Sequence, residues 1–287
     1  METYGLTLKE IRESLNMSQN RLSEGIMSQS NYSKVEKGVI DIPFTKMLDL
    51  LERLGMTIDE FLYIHREYKK IPGKQLIRLN QLKPGNTAKI RENIHELKAI
   101  SHPTEREIEL LAIFEALHFV SDDDYKTASQ KASIVWERLK NHDTWYLYDI
   151  RLINSILYLF PIGTAGSIVR LVLKRLENYK KLGSVHKLSA NIQINYVLLL
   201  IENGEYVSAL GVVENLIRFS IDHHLYIHLA TAYVRKGILL KNLDTGNSSD
   251  WYEKGLTLLE AIDNPAITQE LKKEIKLHTN MKKSDTT

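Results

Sequence analysis

Hydrophobic residues recur at spacings of three and four along almost the whole chain, and this pattern predicts a protein built of α-helices. Between residues 17 and 38 it predicts two short helices joined by a tight turn. Ser18 and Ser28 are placed to cap the two helices, because a serine hydroxyl can accept a hydrogen bond from a free amide at a helix N-terminus. Gly25 supplies the turn, and Gly38 follows the last helical residue. The apolar positions that then face inward are Leu22, Ile26, Tyr32 and Val35. This pattern is typical of a helix-turn-helix DNA-binding motif.

The second helix of this motif is more polar than a buried helix would be. Its short polar side chains can reach base edges and phosphates in a major groove, and they are Gln29, Ser30, Asn31, Ser33 and Lys34. Net charge gives weaker support, since the first 70 residues hold ten Lys or Arg against eleven Asp or Glu. DNA-binding surfaces are normally basic, because phosphate neutralisation dominates affinity. We therefore expect the positive charges to lie on one face and the protein to bind DNA as a dimer.

Further helices complete a small N-terminal domain over residues 1–65. Pro43 begins a helix whose apolar residues are spaced by three and four, and Gly55 ends it. Thr57 and Glu60 form a capping-box pattern at the start of the next helix, in which each side chain would satisfy an amide of the other residue. The domain is thus predicted to contain five helices.

Residues 75–287 predict a second, larger domain of paired helices. Short breaks rich in Gly, Pro, Asn and Asp divide this region into hairpin units of about 40 residues, within the range of helical repeat arrays. The basic segment before it, residues 66–74, is interpreted as a solvated linker rather than as a phosphate-contacting arm. The fold expected for the whole chain is all-α, with a five-helix helix-turn-helix domain followed by a right-handed α-solenoid.

One helical unit supports the repeat interpretation in detail. Residues 195–210 resemble a tetratricopeptide repeat (TPR), in which a helix ends at a glycine, here Gly204, and a small residue, here Ala209, allows close packing of the second helix. The next unit repeats the spacing, with Gly255 three residues after Tyr252. The larger domain is therefore predicted to be TPR-like.

The first helix of each pair lines the concave surface of such a solenoid, so its polar residues are candidates for ligand contacts. With Gly204 and Gly163 as equivalent helix ends, Asn195 and Asn154 occupy the same position in successive repeats. A carboxamide both donates and accepts a hydrogen bond, so each of the two asparagines could hold one peptide unit of an extended chain. Arg151 could pair with a carboxylate. The complete set of predicted peptide contacts is Arg151, Asn154, Asn191, Asn195, Leu198 and Tyr233. The alternative for each of them is an ordinary solvated or core side chain.

Composition narrows the possible functions. The 287 residues include no cysteine, which excludes disulfides, thiol nucleophiles and cysteine-bound metals and fits a reducing compartment. No stretch is long and apolar enough to span a membrane, and the N-terminus lacks signal-peptide features, so we expect a cytoplasmic protein without membrane contact. Ser184–Lys187 matches a short catalytic pattern, and His223, His224 and His228 could form a metal site, but both lack the partner residues that such sites need. We expect no enzyme activity, no metal and no other cofactor.

Several short stretches of the N-terminal region carry a family resemblance, of which Ser33–Gly38 is the most specific. The others are Ile11–Arg12, Ser18–Gln19, Leu22–Ser23 and Ser28–Ser30. With these residues the region resembles the Cro/C1 (XRE) helix-turn-helix family. Together with the helical repeats, the whole chain resembles Rgg-type (MutR-like) transcriptional regulators of Gram-positive bacteria. The resemblance implies a homodimer that acts on double-stranded promoter DNA and a repeat domain that binds a short, secreted and re-imported peptide.

The same resemblance implies roles for individual residues of the N-terminal domain. Side chains expected to contact bases and nearby phosphates are Ser28, Gln29, Ser30, Ser33 and Lys34, and those expected to hold the DNA backbone are Arg12, Gln19 and Lys37. Glu36 is expected to support the fold. Ser23 departs from the small alanine usual at its position, and its hydroxyl needs a partner if it is buried.

The function expected from the sequence is a DNA-binding transcriptional regulator controlled by a short hydrophobic signalling peptide, as in quorum sensing. Dimerisation is assigned to the last helices, around Thr268–Thr279, where Leu271, Ile275 and Leu277 need cover. Two alternatives stay open. One is a ligand-independent repressor whose solenoid only dimerises, and the other is a protein-binding adaptor that has lost DNA binding.

Overall fold

The computed structural model describes residues 3–66, 87–142 and 144–280. These ranges contain fifteen α-helices and no β-strand, which confirms the all-α prediction. The chain divides into two compact units, Met1–Gly73 and Lys74–Thr287. Apart from Arg66, the predicted linker lies outside the described residues, so the linker and the domain limits stay predictions.

The first unit contains the five helices expected from the apolar spacing. Their bounds are α1 Tyr4–Ser14, α2 Gln19–Ser23, α3 Gln29–Glu36, α4 Phe44–Arg53 and α5 Ile58–His65. Each of them contributes to one core, whose largest members are Leu8, Leu22, Tyr32, Leu50 and Phe61. Burial of these side chains holds the short helices α2 and α3 in place, since helices of this length are marginal on their own.

Side-chain caps fix the ends of the helix-turn-helix as predicted. The Ser18 hydroxyl accepts from the amide of Arg21 at 3.2 Å, and the Ser28 hydroxyl accepts from that of Asn31 at 3.3 Å. Gly25 adopts a φ of 72° in the turn between the two helices, a conformation that a side chain would strain. Thr57 also caps its helix.

The complete capping box lies elsewhere in the chain. Between Thr57 and Glu60 the described structure contains only the bond from the Glu60 amide to the Thr57 hydroxyl. Both halves of the motif occur instead between Thr104 and Glu107.

The second unit contains ten α-helices within its described residues. Their bounds are α6 Thr87–Lys98, α7 Glu105–Ser121, α8 Tyr125–Leu139, α9 Leu147–Ser155, α10 Ile162–Leu176, α11 Gly183–Glu202, α12 Tyr206–Asp222, α13 Tyr226–Leu243, α14 Ser248–Ala261 and α15 Pro265–Asn280. Helices α9, α11, α13 and α15 contact one another in succession, and we call them the inner layer. Helices α12 and α14 pack between successive members of the inner layer, α10 packs against α11, and these three helices form the outer layer. This alternation is the helix-pair arrangement predicted from the sequence.

Small residues sit where the repeat pattern requires close packing. Ala209 is fully buried at the start of α12. A Cβ atom on Gly255 would lie 2.7 Å from the carbonyl oxygen of Ala230, so α14 approaches α13 closely only because this residue has no side chain. One predicted helix end is wrong: α9 ends at Ser155, and Gly163 lies in the first turn of α10, because Pro161 caps that helix.

A network of four charges, in which both carboxylates are buried, joins α7, α8 and α9. Its members are Arg106, Glu109, Arg138 and Asp149. Asp149 is 2% exposed and accepts from Arg138 at 2.9 Å. Burial alone would raise the pKa of Asp149, but hydrogen bonds from Arg106, the Tyr146 amide and Arg138 outweigh it and leave that pKa below its ordinary value.

Candidate functional sites

The first candidate surface is the solvent-facing side of α3. Tyr32 and Val35 are buried and fix α3 against the rest of the unit. Positions three or four residues apart on a helix share a face, so the polar residues of α3 form one surface on the opposite side. Its members are Ser28, Gln29, Ser30, Lys34 and Lys37, which are exposed, and Ser33, which is half-buried. The structure thus brings six of the predicted DNA contacts together.

A chain of hydrogen bonds leads from this surface into the core of the unit. Gln29 Nε2 donates to Gln19 Oε1 at 2.7 Å, and Gln19 Nε2 donates to Glu36 Oε2, also at 2.7 Å. Glu36 is 2% exposed and accepts two further bonds from Arg12, at 2.6 and 3.0 Å. The buried carboxylate therefore fixes the orientation of the Gln19 carboxamide, which in turn fixes that of Gln29.

Arg12 differs from its predicted role as a contact to the DNA backbone. Its side chain is 9% exposed, and its guanidinium donates to Glu36, to Glu13 and to the carbonyl of Met17. Burial would raise the pKa of Glu36, but the bonds from Arg12 and Gln19 lower it below its ordinary value. A guanidinium held in this way supports the fold and the position of Gln19 rather than meeting a phosphate.

Ser23, flagged from the sequence as unusual, is buried. It is 1% exposed at the end of α2, and among the described residues its hydroxyl finds no hydrogen-bond partner. An unpaired buried hydroxyl costs free energy. Ser23 therefore makes an unfavourable contribution to the stability of the first unit.

The second candidate surface lies on the inner layer. Asn154 on α9 and Asn195 on α11 meet there, with Asn195 Nδ2 donating to Asn154 Oδ1 at 3.2 Å. Asn195 is exposed and Asn154 is half-buried. Among the described residues, the amino group of Asn154 and the carbonyl oxygen of Asn195 are not used in this bond and so could pair with a ligand. A donor beside an acceptor matches the C=O and N–H groups of one peptide unit.

Asn191 is hydrogen-bonded to His228, a residue that the sequence suggested as part of a possible metal site. His228 on α13 is 6% exposed, and its Nε2 lies 2.8 Å from Asn191 Oδ1. Burial is the main cause that lowers the pKa of His228, and the charge of Lys187 adds to it. His228 is therefore a buried hydrogen-bonding residue. No group of three potential metal-ligating side chains occurs in the part of the chain that the structure describes.

Arg235 is an inner-layer residue that sequence reasoning missed. It is 5% exposed on α13, donates to the Ile194 carbonyl on α11 and forms two bonds with the Glu274 carboxylate on α15, at 2.7 and 3.1 Å. It therefore ties the turn of α11 that carries the asparagines to the last described helix. The available signal was the Arg235–Lys236 pair between the apolar stretches of α13.

The remaining predicted peptide contacts fall in different places. Arg151 is half-buried on α9, one turn before Asn154. Leu198 lines a cleft of about 560 Å³ between α11 and α15, together with Glu202 and Leu277. Tyr233 is 7% exposed and faces the outer layer, because its ring lies 5.5 Å from that of Trp251 on α14 and beneath the ammonium group of Lys254. The structure thus argues against Tyr233 as a groove residue.

Of the three apolar side chains predicted to mediate dimerisation, only one is exposed to solvent. Leu271 is 3% exposed and belongs to the core of the second unit, and Ile275 is half-buried. Leu277 is 56% exposed. One leucine of α15 is therefore left for a contact with another molecule. Among the described helices, none is long and apolar enough to cross a membrane.

Two family models match the chain. The model described as HTH-type transcriptional regulator Rgg, C-terminal domain, matches residues 85–273. The model described as helix-turn-helix matches residues 8–61. Together they account for most of both units.

Solved structures of similar fold cover nearly the full length of the chain. A Listeria monocytogenes protein is 18% identical, with a TM-score of 0.85 over 97% of this chain and 98% of its own. The SHP pheromone receptor Rgg2 of Streptococcus dysgalactiae is 16% identical, with a TM-score of 0.75 over 96% and 99%. PlcR of Bacillus thuringiensis, in complex with the peptide PapR7 and DNA, is 18% identical, with a TM-score of 0.60 over 94% and 99%. At these identities the likeness concerns the fold.

Proposed function

This chain belongs to the Rgg family of helix-turn-helix transcriptional regulators, and on that basis we propose that α3 binds promoter DNA under the control of a short hydrophobic peptide on the inner layer. The observation that carries the proposal is the hydrogen-bonded Asn154–Asn195 pair, which joins two inner-layer helices in the same chain as the helix-turn-helix. The names of two structural neighbours, a pheromone receptor and a regulator bound to a peptide and DNA, support the same division of roles.

Peptide binding is assigned to the inner-layer surface around α11. The Asn154–Asn195 pair would hold one peptide unit, and Leu198 would contact an apolar side chain. Arg151 adds a positive charge beside the pair. Asn191 adds a further amide one turn away, about 6 Å along the helix. These groups suit a ligand recognised mainly through its backbone.

Gln29 carries the most specific part of the DNA proposal. Gln19 accepts one N–H of its carboxamide, so the carbonyl oxygen and the second N–H of Gln29 face outward. Adenine presents a donor and an acceptor in the major groove that match these two groups. Ser30, Ser33, Lys34 and Lys37 would contact neighbouring bases and phosphates.

We infer that the protein acts on DNA as a homodimer. The first 70 residues are almost neutral in charge, so one copy has little non-specific attraction for DNA. Two copies related by a two-fold axis would contact half-sites about 34 Å apart, one turn of DNA. The peptide would control DNA binding if its affinity differs between two arrangements of the dimer. Such a regulator works in the cytoplasm, and no step of the proposal needs catalysis or a cofactor.

The test begins with a mixture of short apolar synthetic peptides passed over the immobilised full-length protein. Retained peptides are identified by mass spectrometry and titrated by fluorescence polarisation. We expect Asn154→Ala and Asn195→Ala each to weaken binding about tenfold, because each leaves one peptide group unpaired. Asn215→Ala is the matched control, since Asn215 is exposed on α12 in the outer layer.

Other outcomes point to the alternative functions. Specific DNA binding without any retained peptide would identify a ligand-independent repressor. A gel shift that non-specific competitor DNA abolishes would favour a protein-binding adaptor. Unchanged affinity in both asparagine variants would refute the groove assignment even if a peptide binds.

A further inference from the structure

Buried His228 controls which atoms of Asn191 face the groove. An amide oxygen can only accept a hydrogen bond, so the contact of 2.8 Å between His228 Nε2 and Asn191 Oδ1 requires the proton on Nε2. With its oxygen engaged in this way, Asn191 presents its amino group to solvent. Asn191 is exposed, whereas His228 is 6% exposed behind it. At this point of the inner-layer surface Asn191 therefore offers the N–H groups of its carboxamide as donors.

Lys187 adds a second donor one helical turn before Asn191. Lys187, Asn191 and Asn195 lie four residues apart on α11, so they form one stripe along the helix, and all three are exposed. We call them the α11 stripe. Lys187 is also near enough to His228 for its charge to lower the pKa of that ring. The exposed Asn191 and the exposed Lys187, both able to donate, thus lie one and two helical turns from Asn195.

We propose that Lys187, Asn191 and His228 form a carboxylate subsite that receives the C-terminal carboxylate of the bound peptide. The inference rests on the proposed function, because it assumes that a peptide lies along the α11 stripe. Lys187 supplies the positive charge, and Asn191 supplies a hydrogen bond that charge makes stronger. His228 is a positioning residue, since it acts by holding Asn191 and does not touch the ligand.

The spacing along α11 fits this assignment. One helical turn separates Asn191 from Asn195, a distance of about 6 Å, which is the length of about two extended residues. The Asn154–Asn195 pair would then hold the peptide unit two residues before the C-terminus. The peptide would consequently run with its C-terminal end toward the first half of α11.

Arg151 is the competing candidate for the carboxylate. It lies one turn from Asn154, where the neighbouring free groups include the carbonyl oxygen of Asn195. A carboxylate would meet an acceptor there, whereas the Lys187–Asn191 subsite offers donors alone. The arrangement of free groups therefore assigns the terminal carboxylate to the subsite and leaves Arg151 for carbonyl groups of the ligand.

The experiment uses the same immobilised full-length protein with short apolar synthetic peptides made in two forms. One form ends in a free carboxylate, and the other ends in a neutral amide. We expect the wild-type protein to bind the acid about tenfold more tightly than the matching amide, the value of one charge-assisted hydrogen bond. Amides that carry an internal Asp form a third arm, which distinguishes a side-chain carboxylate from the terminal one.

Variants identify the residues that produce this preference. Lys187→Gln and Asn191→Ala should each reduce the ratio of acid to amide affinity, while Lys174→Gln, an exposed lysine of α10, should not. His228→Phe removes the donor and should reduce the ratio. His228→Gln keeps an N–H near the position of Nε2, so it should keep the wild-type ratio of acid to amide affinity. A role of His228 in packing alone would not predict this difference between the Phe and Gln variants. Circular dichroism and thermal unfolding check that every variant is folded.

The failure of this inference differs from the failure of the proposed function. Retention of peptides with equal affinity for acid and amide would overturn the carboxylate subsite and leave peptide binding intact. Loss of the preference in Arg151→Gln but not in Lys187→Gln would also overturn it. Tighter binding seen only for peptides with an internal Asp would show that the subsite binds a side-chain carboxylate, and would overturn its assignment to the C-terminus. If no peptide of any form is retained, both proposals fail together.

Discussion

Replacing Glu36 with glutamine should destabilise the helix-turn-helix unit selectively. Glu36 accepts two hydrogen bonds from Arg12 and one from Gln19 in a site where Arg12 and Glu36 are 9% and 2% exposed. The glutamine would place an amino group against the guanidinium and leave the positive charge of Arg12 buried without a counter-charge. Solvent screening is weak at this depth, so the loss is not reduced as it would be at the surface.

Removing one partner of a buried ion pair costs about 3 to 5 kcal/mol. Small domains are stable by about 5 to 15 kcal/mol in total, so this loss is a large share of the stability of the unit. At about 3 kcal/mol the amide exchange of α1 and α3 should accelerate about a hundredfold, provided that these amides exchange through opening of the unit. Gln19→Ala removes one bond from the same carboxylate and should cost about 1 kcal/mol.

The assay is native-state hydrogen exchange on the full-length protein, followed by mass spectrometry of peptides from α1 to α3. All three tryptophans, Trp136, Trp145 and Trp251, lie in the second unit, so their fluorescence provides an internal control that should not change. Glu52→Gln is the matched variant, because Glu52 is exposed on α4. Exchange in α1 and α3 that matches the Glu52→Gln control would refute the structural role assigned to the Arg12–Glu36 pair.

Three further predictions follow from burial and close contacts. Ser23→Ala should stabilise the first unit by about 1 kcal/mol, because it removes a buried hydroxyl without a partner, and thermal unfolding and hydrogen exchange would measure this. Gly255→Ala should destabilise the second unit by about 1 to 3 kcal/mol in urea unfolding, since its Cβ would lie 2.7 Å from a backbone oxygen of α13. The same change at Gly211 of α12, where an added Cβ would have no atom within 4 Å beyond the nearby backbone of its own helix, should instead stabilise by about 0.5 to 1 kcal/mol. The pKa of Asp149 is lower in the folded protein than in the unfolded chain, so its stabilisation is present above the unfolded pKa and is lost as pH falls. Urea midpoints measured by tryptophan fluorescence, which reports on the second unit, should therefore fall on acidification, and less steeply in Asp149→Asn.

For each of these three predictions, a specific result would contradict the reasoning. A Ser23→Ala variant that is less stable than the wild type would show that the buried hydroxyl stabilises the first unit. Equal effects at Gly255 and Gly211 would contradict the close approach of α14 to α13. An Asp149→Asn variant with the same pH dependence as the wild type would assign the acid sensitivity to other carboxylates.

Local features of the chain could be predicted well from the sequence. Ser18 and Ser28 cap their helices, and Gly25 and Gly204 adopt positive φ at the expected helix ends. These features depend on residues a few positions apart, so their physical cause lies within a short stretch of sequence. The proximity of Asn154 to Asn195 was also predictable from the repeat, even though the helix end used to align it was misplaced.

Which way a side chain faces between packed helices was harder to predict. Tyr233 occupies a plausible groove position by spacing, but α13 contacts neighbours on both sides, and the tyrosine turns toward α14. Arg12 has the charge of a phosphate contact, yet its position on α1 places it against Glu36. A helix covered on two sides has two apolar faces, so periodicity alone does not separate core from groove.

The sequence by itself determined that the chain is helical, where the DNA-binding motif lies, and which amides recur in successive repeats. Only the tertiary structure decided how those amides are oriented. The bonds responsible join residues far apart in sequence, 24 positions for Arg12 and Glu36, 37 for Asn191 and His228, and 39 for Arg235 and Glu274. The free donors and acceptors of a site depend on which of its groups are already engaged, and that is settled by the packing of distant helices against one another.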